Sequence, residues 1–224
     1  MKTAAFIEWL RANRLRVFTV QDAMLATGKS RSYMWSWLQK MRGIKRIEKG
    51  RYCIDGTGIY EIASSIVKPS YISLLAAFEY RRLTTQLPAV IEVVATARHK
   101  SLDIYGYRVV FKTLGRRRMF GYQYSNGATV ATVEKALLDA LYLNYPYEYI
   151  AEAFDRALVE HRLDIEKLDG YALRMGSKVL ASKLGFMLES HGIDAEELIA
   201  HRSRNSVTLY GGAERDRKWG VVHG

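Results

Sequence analysis

Residues 17–54 read VFTVQDAMLATGKSRSYMWSWLQKMRGIKRIEKGRYCI, and this stretch decides the fold of the N-terminal part of the chain. A short extended piece precedes Thr19, which is a good helix N-cap, and the short helix that follows ends at Gly28 in the left-handed conformation. A third helix with an amphipathic apolar stripe then runs to about Met41. A basic hairpin closes the stretch, because Gly50 permits the positive φ that its tight turn requires.

The order of helix, short helix, tight turn, helix and hairpin is typical of a winged helix-turn-helix. We therefore predict an α+β protein in which residues 1–56 form a winged helix-turn-helix DNA-binding domain. Residues 57–70 are predicted to be a linker with some helix, and residues 71–224 a larger mixed α/β domain with a helical tail. The pattern in that larger domain predicts a helix over 71–81, strands over 90–96, 107–112 and 119–124, helices over 133–143, 147–161, 164–175, 177–191 and 196–201, and strands over 206–210 and 219–222.

The positive charge of the chain is concentrated at one end. The formal net charge is +11. Residues 1–52 hold 12 Lys and Arg against 3 Asp and Glu, whereas residues 53–224 hold 22 against 20. This distribution indicates a nucleic-acid-binding module joined to a near-neutral body, with a solvated basic surface as the alternative.

Three sequence blocks follow the basic segment: YISLL at residues 71–75, LTTQLP at 83–88 and ATVEKALLD at 131–139. Together with that segment, they resemble the AbiEi family, the antitoxins of AbiE-type type IV toxin–antitoxin systems, over about residues 15–145. The resemblance implies an N-terminal domain that binds double-stranded DNA at inverted repeats in its own promoter and represses it. It also implies a C-terminal domain that counters a nucleotidyltransferase-type toxin, and direct binding of that toxin is not required.

The third helix is predicted to read DNA through the polar face opposite its apolar stripe. Gln can bond adenine through two hydrogen bonds, Ser can bond either base of a pair, and Lys or Arg can bond guanine or phosphate. The alternative is that this face is simply the solvated side of an amphipathic helix. The candidate residues are Lys29, Ser30, Arg31, Ser32, Tyr33, Ser36, Gln39 and Lys40.

Two further basic clusters are candidate binding surfaces. The first lies on the hairpin, where point charges would contact the DNA backbone, or where lysines would protect an exposed edge strand. The second lies in the larger domain and is the candidate antitoxin surface, which would hold phosphate, RNA or an acidic partner; a solvated turn is an equal alternative. The hairpin cluster is Lys45, Arg46, Lys49 and Arg51, and the second is Arg116, Arg117 and Arg118.

The sequence offers no recognisable catalytic or metal-binding pattern. Glu92 stands alone on its predicted strand, and Glu134, Lys135 and Asp139 are interpreted as helix capping and surface pairing. The five histidines lack metal-site spacing, and the single cysteine, Cys53, is predicted to be a small buried hydrophobe. We therefore predict no catalysis, no cofactor and no metal.

The function favoured by these patterns is that of a DNA-binding autorepressor and antitoxin. A ligand-sensing winged-helix repressor, whose larger domain binds a small molecule, is the alternative, and a nucleic-acid-processing enzyme is less favoured. The chain has no run of 18 apolar residues and no secretory signal, so the expected location is the cytoplasm, without a membrane partner.

Overall fold

The computed structural model describes residues 3–224, which adopt a mixed α+β fold, so the predicted fold class is confirmed at that level. We call residues 3–54 the N-terminal unit. Its elements are α1 (Thr3–Ala12), β1 (Val17–Thr19), α2 (Val20–Thr27), α3 (Arg31–Lys40), β2 (Ile44–Glu48) and β3 (Arg51–Ile54). The three strands form an antiparallel sheet in the order β1-β3-β2, which places the hairpin beside the first strand.

Local capping explains where α2 and α3 begin and where α2 ends. The Thr19 side chain accepts a hydrogen bond from the backbone of Asp22, and the Asp22 carboxylate accepts one from the Thr19 N–H at 2.7 Å. This capping box satisfies two donors at the helix end. Gly28 ends α2 at φ +66°, a conformation that strains residues with side chains, and Ser30 caps α3 by accepting from the N–H of Tyr33. The predicted caps at Thr19 and Gly28 are confirmed.

A separate hydrophobic cluster holds the N-terminal unit together. Phe6 of α1 packs edge-on against Phe18, with ring centroids 5.7 Å apart, and Phe18 stacks on Tyr52 at 6.0 Å. Met34 and Leu38 of α3 are buried in the same cluster. Because these two residues are four positions apart, one face of α3 packs inward and the opposite face is left to solvent.

The body, residues 59–224, contains a six-stranded sheet covered by helices. Its sheet strands are β4 (Ser70–Ile72), β5 (Val90–Ala95), β6 (Leu102–Ile104), β7 (Tyr107–Thr113), β8 (Tyr122–Ser125) and β9 (Ala128–Ala131). They lie in the order β6-β7-β5-β4-β9-β8, with parallel pairing of β5 with β7 and of β4 with β9. The helices are α4 (Ile59–Ile66), α5 (Leu74–Tyr80), α6 (Val133–Tyr142), α7 (Tyr147–Val159), α8 (Ile165–Met175), α9 (Lys178–Ser190) and α10 (Glu196–Ile199), with a 3₁₀ turn over Arg116–Arg118.

The C-terminal end of the body carries a second, small sheet. It consists of β10 (Val207–Thr208), β11 (Glu214–Arg215) and β12 (Val221–His223), with β12 in the centre. β12 pairs in parallel with β10 and antiparallel with β11. Within residues 3–224, no helix is both long enough and apolar enough to cross a lipid bilayer.

Several segments of the body differ from the sequence predictions. Residues 57–70, expected to be a linker with some helix, contain α4, whose Ile62 and Ile66 are buried in the core of the body. The helix expected over 71–81 begins three residues late, because the preceding residues pair with β5 and β9 as the strand β4. The strand expected over 119–124 begins only at its fourth residue, and β6, β9 and β11 were not predicted. Local periodicity does not reveal which strands will pair.

A buried ion pair lies at the centre of the body. Lys135 and Asp139, one turn apart on α6, are both fully buried, and Nζ of Lys135 contacts Oδ1 of Asp139. The hydroxyls of Tyr71 and Ser73 each donate a hydrogen bond to Oδ2 of Asp139 at 2.9 Å. Glu134 is buried as well and pairs with a lysine of α8. The interpretation of these residues as a surface pair is therefore wrong, because β4 and the neighbouring helices cover α6.

Gly121 allows the chain to cross closely over this pair. Its φ is +68°, and a Cβ atom there would lie 3.0 Å from Cβ of Lys135 and 2.7 Å from Cε2 of Tyr171. The extended backbone therefore starts only after this glycine, at Tyr122. The ring of Phe120 lies 5.2 Å from Nζ of Lys135, so an aromatic face helps to enclose the ammonium group.

We predict that Lys135→Met lowers the free energy of unfolding by about 3–5 kcal/mol at pH 8, because Asp139 is left buried without its counter-charge. The measurement is urea denaturation followed by circular dichroism. The double variant Lys135→Met/Asp139→Asn should recover most of the loss. Lys178→Met, which changes an exposed lysine of α9, is the control and should stay within about 0.5 kcal/mol. Equal losses in Lys135→Met and Lys178→Met would contradict the prediction.

Candidate nucleic-acid interface

The face of α3 opposite its buried stripe is open to solvent. Tyr33 is 50% exposed, and its ring stacks on Trp37 with centroids 6.4 Å apart, which limits its freedom. The face therefore combines one fixed aromatic ring with short polar groups and a cation. The other predicted residues of this face are all exposed: Ser32, Ser36, Gln39 and Lys40.

The N-terminal end of α3 carries the remaining predicted residues of this helix. Lys29 and Arg31 are exposed on either side of Ser30. The Ser30 hydroxyl accepts from the N–H of Tyr33 at 3.4 Å, so this serine acts first as the helix cap. Unpaired N–H groups at a helix start favour anions, so this end of α3 suits a phosphate group.

Strand alternation divides the cations of the hairpin between two faces. Lys45 lies opposite Cys53 across the sheet, and Arg46 lies opposite Tyr52. Residues opposite one another share a face of the sheet. Cys53 belongs to the core of the body, whereas Tyr52 packs in the N-terminal cluster. Arg46 therefore lies on the side of α3, with its guanidinium 5.8 Å from the ring centroid of Trp35.

Lys45 and Arg51 are used in contacts within the chain. Nζ of Lys45 lies 2.7 Å from Oδ1 of Asp55, and this hydrogen bond raises the pKa of the Lys45 ammonium group. Nε of Arg51 lies 3.2 Å from Oε1 of Glu48, and its Nη1 donates to the carbonyl oxygen of Ser65 in α4 at 3.2 Å. Of the four hairpin cations, Lys45 and Arg51 therefore already have partners within the chain.

The start of α3 and the turn of the hairpin border one cleft of about 510 Å³. Arg31, Lys49 and Arg51 line it, so the structure brings together predicted residues from separate elements. Gln21, at the start of α2, lines the same cleft and was missed in the sequence. The hairpin turn accepts a backbone hydrogen bond from the first residue of α2 at 3.0 Å, and this long-range contact has no sequence signal.

Three further arginines of the N-terminal unit border the body. Arg11, Arg14 and Arg16 line a cleft of about 350 Å³ together with Tyr124 of β8. Nε of Arg16 lies 3.6 Å from Oε2 of Glu61 in α4, and all three arginines are exposed. The charge count of the first 52 residues includes these arginines, but only the fold places them beside an exposed aromatic ring.

The arginine turn, residues 116–118, contains one structural arginine and two exposed ones. Nε of Arg118 donates to the carbonyl oxygen of Met175 at 2.8 Å, and its guanidinium lies 4.7 Å from the ring centroid of Tyr142. Arg116 and Arg117 are exposed. Of the three predicted residues, Arg116 and Arg117 are therefore open to solvent, and Arg118 is held by contacts within the body.

The sulfur of Cys53 is buried at the junction of the N-terminal unit and the body. Its residue is 1% exposed, and Sγ lies 3.5 Å from the hydroxyl oxygen of Tyr105. Burial raises the pKa of the Cys53 thiol. The prediction of a small buried hydrophobe agrees with this burial. Within the described residues, no three His, Cys, Asp or Glu side chains are grouped as metal ligands would be.

Glu92 is a buried carboxylate in the central strand β5. Burial raises its pKa to about 7, although the Tyr145 hydroxyl, the Lys112 ammonium group and the backbone N–H of Ala76 act in the opposite direction. One of its oxygens, Oε2, has no hydrogen-bond partner within the described chain. The sequence singled out Glu92 as the carboxylate of its strand but gave no sign that it is desolvated.

The fold and this basic, polar surface define a mixed α+β protein with a candidate nucleic-acid interface. No family model and no curated protein matches the chain. The structure is similar to the crystal structure of the RV2827C protein from Mycobacterium tuberculosis, with a TM-score of 0.61 and 14% sequence identity. The similarity covers 98% of this chain and 90% of that one, so the two share a fold over nearly their whole length.

We predict that Glu92 contributes a loss of stability as the pH rises from about 4.5 to 7, and that Glu92→Gln reduces this loss. In the folded state the pKa of Glu92, about 7, lies above the ordinary glutamate value of 4.5, so between these pH values the folded state holds a proton that the unfolded state has released. This difference between the two pKa values corresponds to a change of about 3 kcal/mol in the free energy of unfolding. Urea denaturation at pH 4 and pH 8 measures it, with the exposed Glu166→Gln in α8 as the control. The same pH dependence in Glu92→Gln and the unmodified chain would contradict the assignment.

Proposed function

We propose that the chain is a DNA-binding transcriptional autorepressor and the antitoxin of a type IV toxin–antitoxin system. In this proposal, residues 1–56 form a winged helix-turn-helix that binds inverted repeats in the promoter of its own gene, and residues 71–224 oppose a nucleotidyltransferase-type toxin in the cytoplasm. The chain acts by binding and performs no catalysis. The sequence resemblance to the AbiEi family supports the biological role, and the geometry of the N-terminal unit supports DNA binding.

The observation that carries the proposal is the exposed polar face of α3, which is fixed by its own buried stripe. Met34 and Leu38 anchor the helix, so the opposite side chains are presented in a constant orientation. The helix follows a short capped helix after a tight turn, and the hairpin stands beside it. A helix presented in this way can enter the major groove, where Gln39 would bond adenine and Ser36 either base.

The cations around α3 suit phosphate contacts on both sides of that groove. Lys29 and Arg31 lie at the start of the helix, while Arg46 and Lys49 lie on the hairpin. Such contacts fix the register of the protein on the duplex without reading sequence. Arg51, which bonds to the body, would then hold the hairpin in place instead of contacting DNA.

One observation favours the second candidate, a ligand-sensing repressor. A cleft of about 270 Å³ lies between the hairpin and the turn joining β6 to β7, lined by Lys45, Arg46, Asp103 and Tyr105 among others. A small molecule bound there would contact both the hairpin and the body, and could shift the hairpin away from DNA. If a nucleotidyltransferase gene lies next to the gene for this chain, the antitoxin proposal is favoured over this one.

We predict that Gln39→Ala weakens binding to a duplex from the chain's own promoter by about 1–3 kcal/mol and leaves binding to random duplex unchanged. Lys49→Gln should weaken both duplexes alike, because a phosphate contact carries no base information. Fluorescence anisotropy titration with both duplexes measures this, and Lys178→Gln is the matched control for loss of one charge.

The same titrations at several salt concentrations provide a second readout. With about six phosphate contacts, log K should fall against log salt with a slope near −5, and Lys49→Gln should reduce the slope by about 1. If Gln39→Ala weakens both duplexes equally while Lys49→Gln alters sequence preference, the assignment of the two elements is reversed.

We predict that repression and antitoxin activity separate between the two parts of the chain. Lys29→Gln/Arg31→Gln/Lys49→Gln should stay folded, lose promoter binding and still rescue cells that express the neighbouring toxin. Arg116→Glu/Arg117→Glu should bind the promoter and fail to rescue. Growth under toxin induction is the measurement, with thermal melting followed by circular dichroism as the folding control.

The matched control for the charge reversal is Arg82→Glu/Lys178→Glu, which changes two exposed cations elsewhere in the body. If the triple variant fails to rescue, antitoxin action depends on repression alone. If Arg116→Glu/Arg117→Glu rescues normally, the arginine turn is a solvated loop.

A further inference from the structure

Five cations converge on one cleft at the C-terminal end of the body. This C-terminal cleft has a volume of about 470 Å³ and lies between the loop after α10 and the turn between β11 and β12. None of the described residues that line it is acidic. The sequence did not reveal it, because the balance of charges over residues 53–224 is nearly neutral. The lining cations are Arg202, Arg204, Arg215, Arg217 and Lys218.

Both cationic segments are anchored on the buried helix α9. On one side, the backbone N–H of Ser203 donates to Oγ of the fully buried Ser182 at 3.0 Å. On the other side, Trp219 is 1% exposed and its Nε1 donates to Oε2 of Glu189 at 2.9 Å. A Cβ atom at Gly185 would lie 2.2 Å from the Trp219 ring, so the indole can pack against α9 only because this residue has no side chain.

Two of the five cations have partners in the protein, and the other three are exposed guanidinium groups. Nη1 of Arg202 donates to the carbonyl oxygen of Ile199 at 3.1 Å, and Lys218 pairs with the carboxylate of Glu189. Arg204, Arg215 and Arg217 are exposed, and within residues 3–224 no carboxylate lies within ion-pair distance of them. Like charges held close together by a rigid support repel each other unless an anion is bound between them.

We propose that the C-terminal cleft binds the linked phosphates of a small ligand, as found in pyrophosphate or a nucleoside triphosphate. Guanidinium groups bind phosphate oxygens through two parallel hydrogen bonds, and several around one small cleft suit a compact polyanion. The cleft falls in the size range of small-molecule sites. The cations are grouped in one place, whereas a nucleic-acid backbone would require them along an extended track. This site shares no residue with the proposed DNA interface and stands independently of the proposed function.

The test is isothermal titration calorimetry of the full chain with sodium pyrophosphate and, separately, with ATP, at constant ionic strength. The proposal expects saturable binding of one ligand per chain that Arg215→Gln/Arg217→Gln weakens at least tenfold. The matched control, Arg98→Gln/Lys100→Gln, removes the same charge from another exposed part of the body and should change affinity less than twofold. Thermal melting of both variants checks that they fold.

The two ligands distinguish the sources of the phosphate. Equal affinity for pyrophosphate and ATP means that the phosphates alone are recognised, and tighter ATP binding means that the nucleoside contributes; both results support the proposal. The proposal is overturned if neither ligand binds, or if the two double variants weaken binding equally. It is also overturned if a 12-nucleotide RNA binds more tightly per phosphate than ATP and depends on Arg215 and Arg217, because the cleft is then a surface for a nucleic-acid backbone.

Discussion

The buried pair of Lys135 and Asp139 is the constraint around which the body is arranged. Removing a carboxylate and an ammonium group from water is costly, and this cost is offset only if the two groups pair closely and gain further hydrogen bonds. Here Tyr71 and Ser73 supply two of them from the chain at β4, which fixes that strand against α6. Because β4 lies between β5 and β9 in the sheet, the same contacts hold the centre of the strand order. A purely apolar α6 could pack in several registers, whereas this network accepts one.

The hairpin of the N-terminal unit contacts α3 with one face and the body with the other. One face packs beside α3, and the other attaches to the body through the Arg51 contact with Ser65 and through Oε1 of Glu48, which lies 3.4 Å from Nε2 of His99. The thiol of Cys53 adds a contact to the same junction. The placement of α3 relative to the body therefore depends on the hairpin. A change at this junction would alter the position of the proposed DNA surface.

Positive charge serves different purposes at different places in this chain. Around α3 it lies beside exposed polar side chains, on the surface that we propose binds a duplex. At the arginine turn, one guanidinium is a structural contact and two are exposed. At the C-terminal cleft, cations are clustered beside the Ser203 side chain, which suits the linked phosphates of a compact ligand. The same residue type is structural in Arg118 and Arg51 and available in Arg215 and Arg217, and the difference lies in the acceptors that the fold provides.

The sequence by itself determined the local features of this protein. Thr19, Gly28 and Gly50 predicted the caps and the turn, because capping and positive φ act over a few residues. The apolar stripe of α3 likewise predicted which side chains are exposed. Only the tertiary structure decided which strands pair, that α4 belongs to the core, and that Lys135 and Asp139 are buried. It also divided the hairpin cations between two faces of the sheet and assembled the C-terminal cleft. These features depend on contacts between residues far apart in the chain, and such contacts leave no periodic pattern in the sequence.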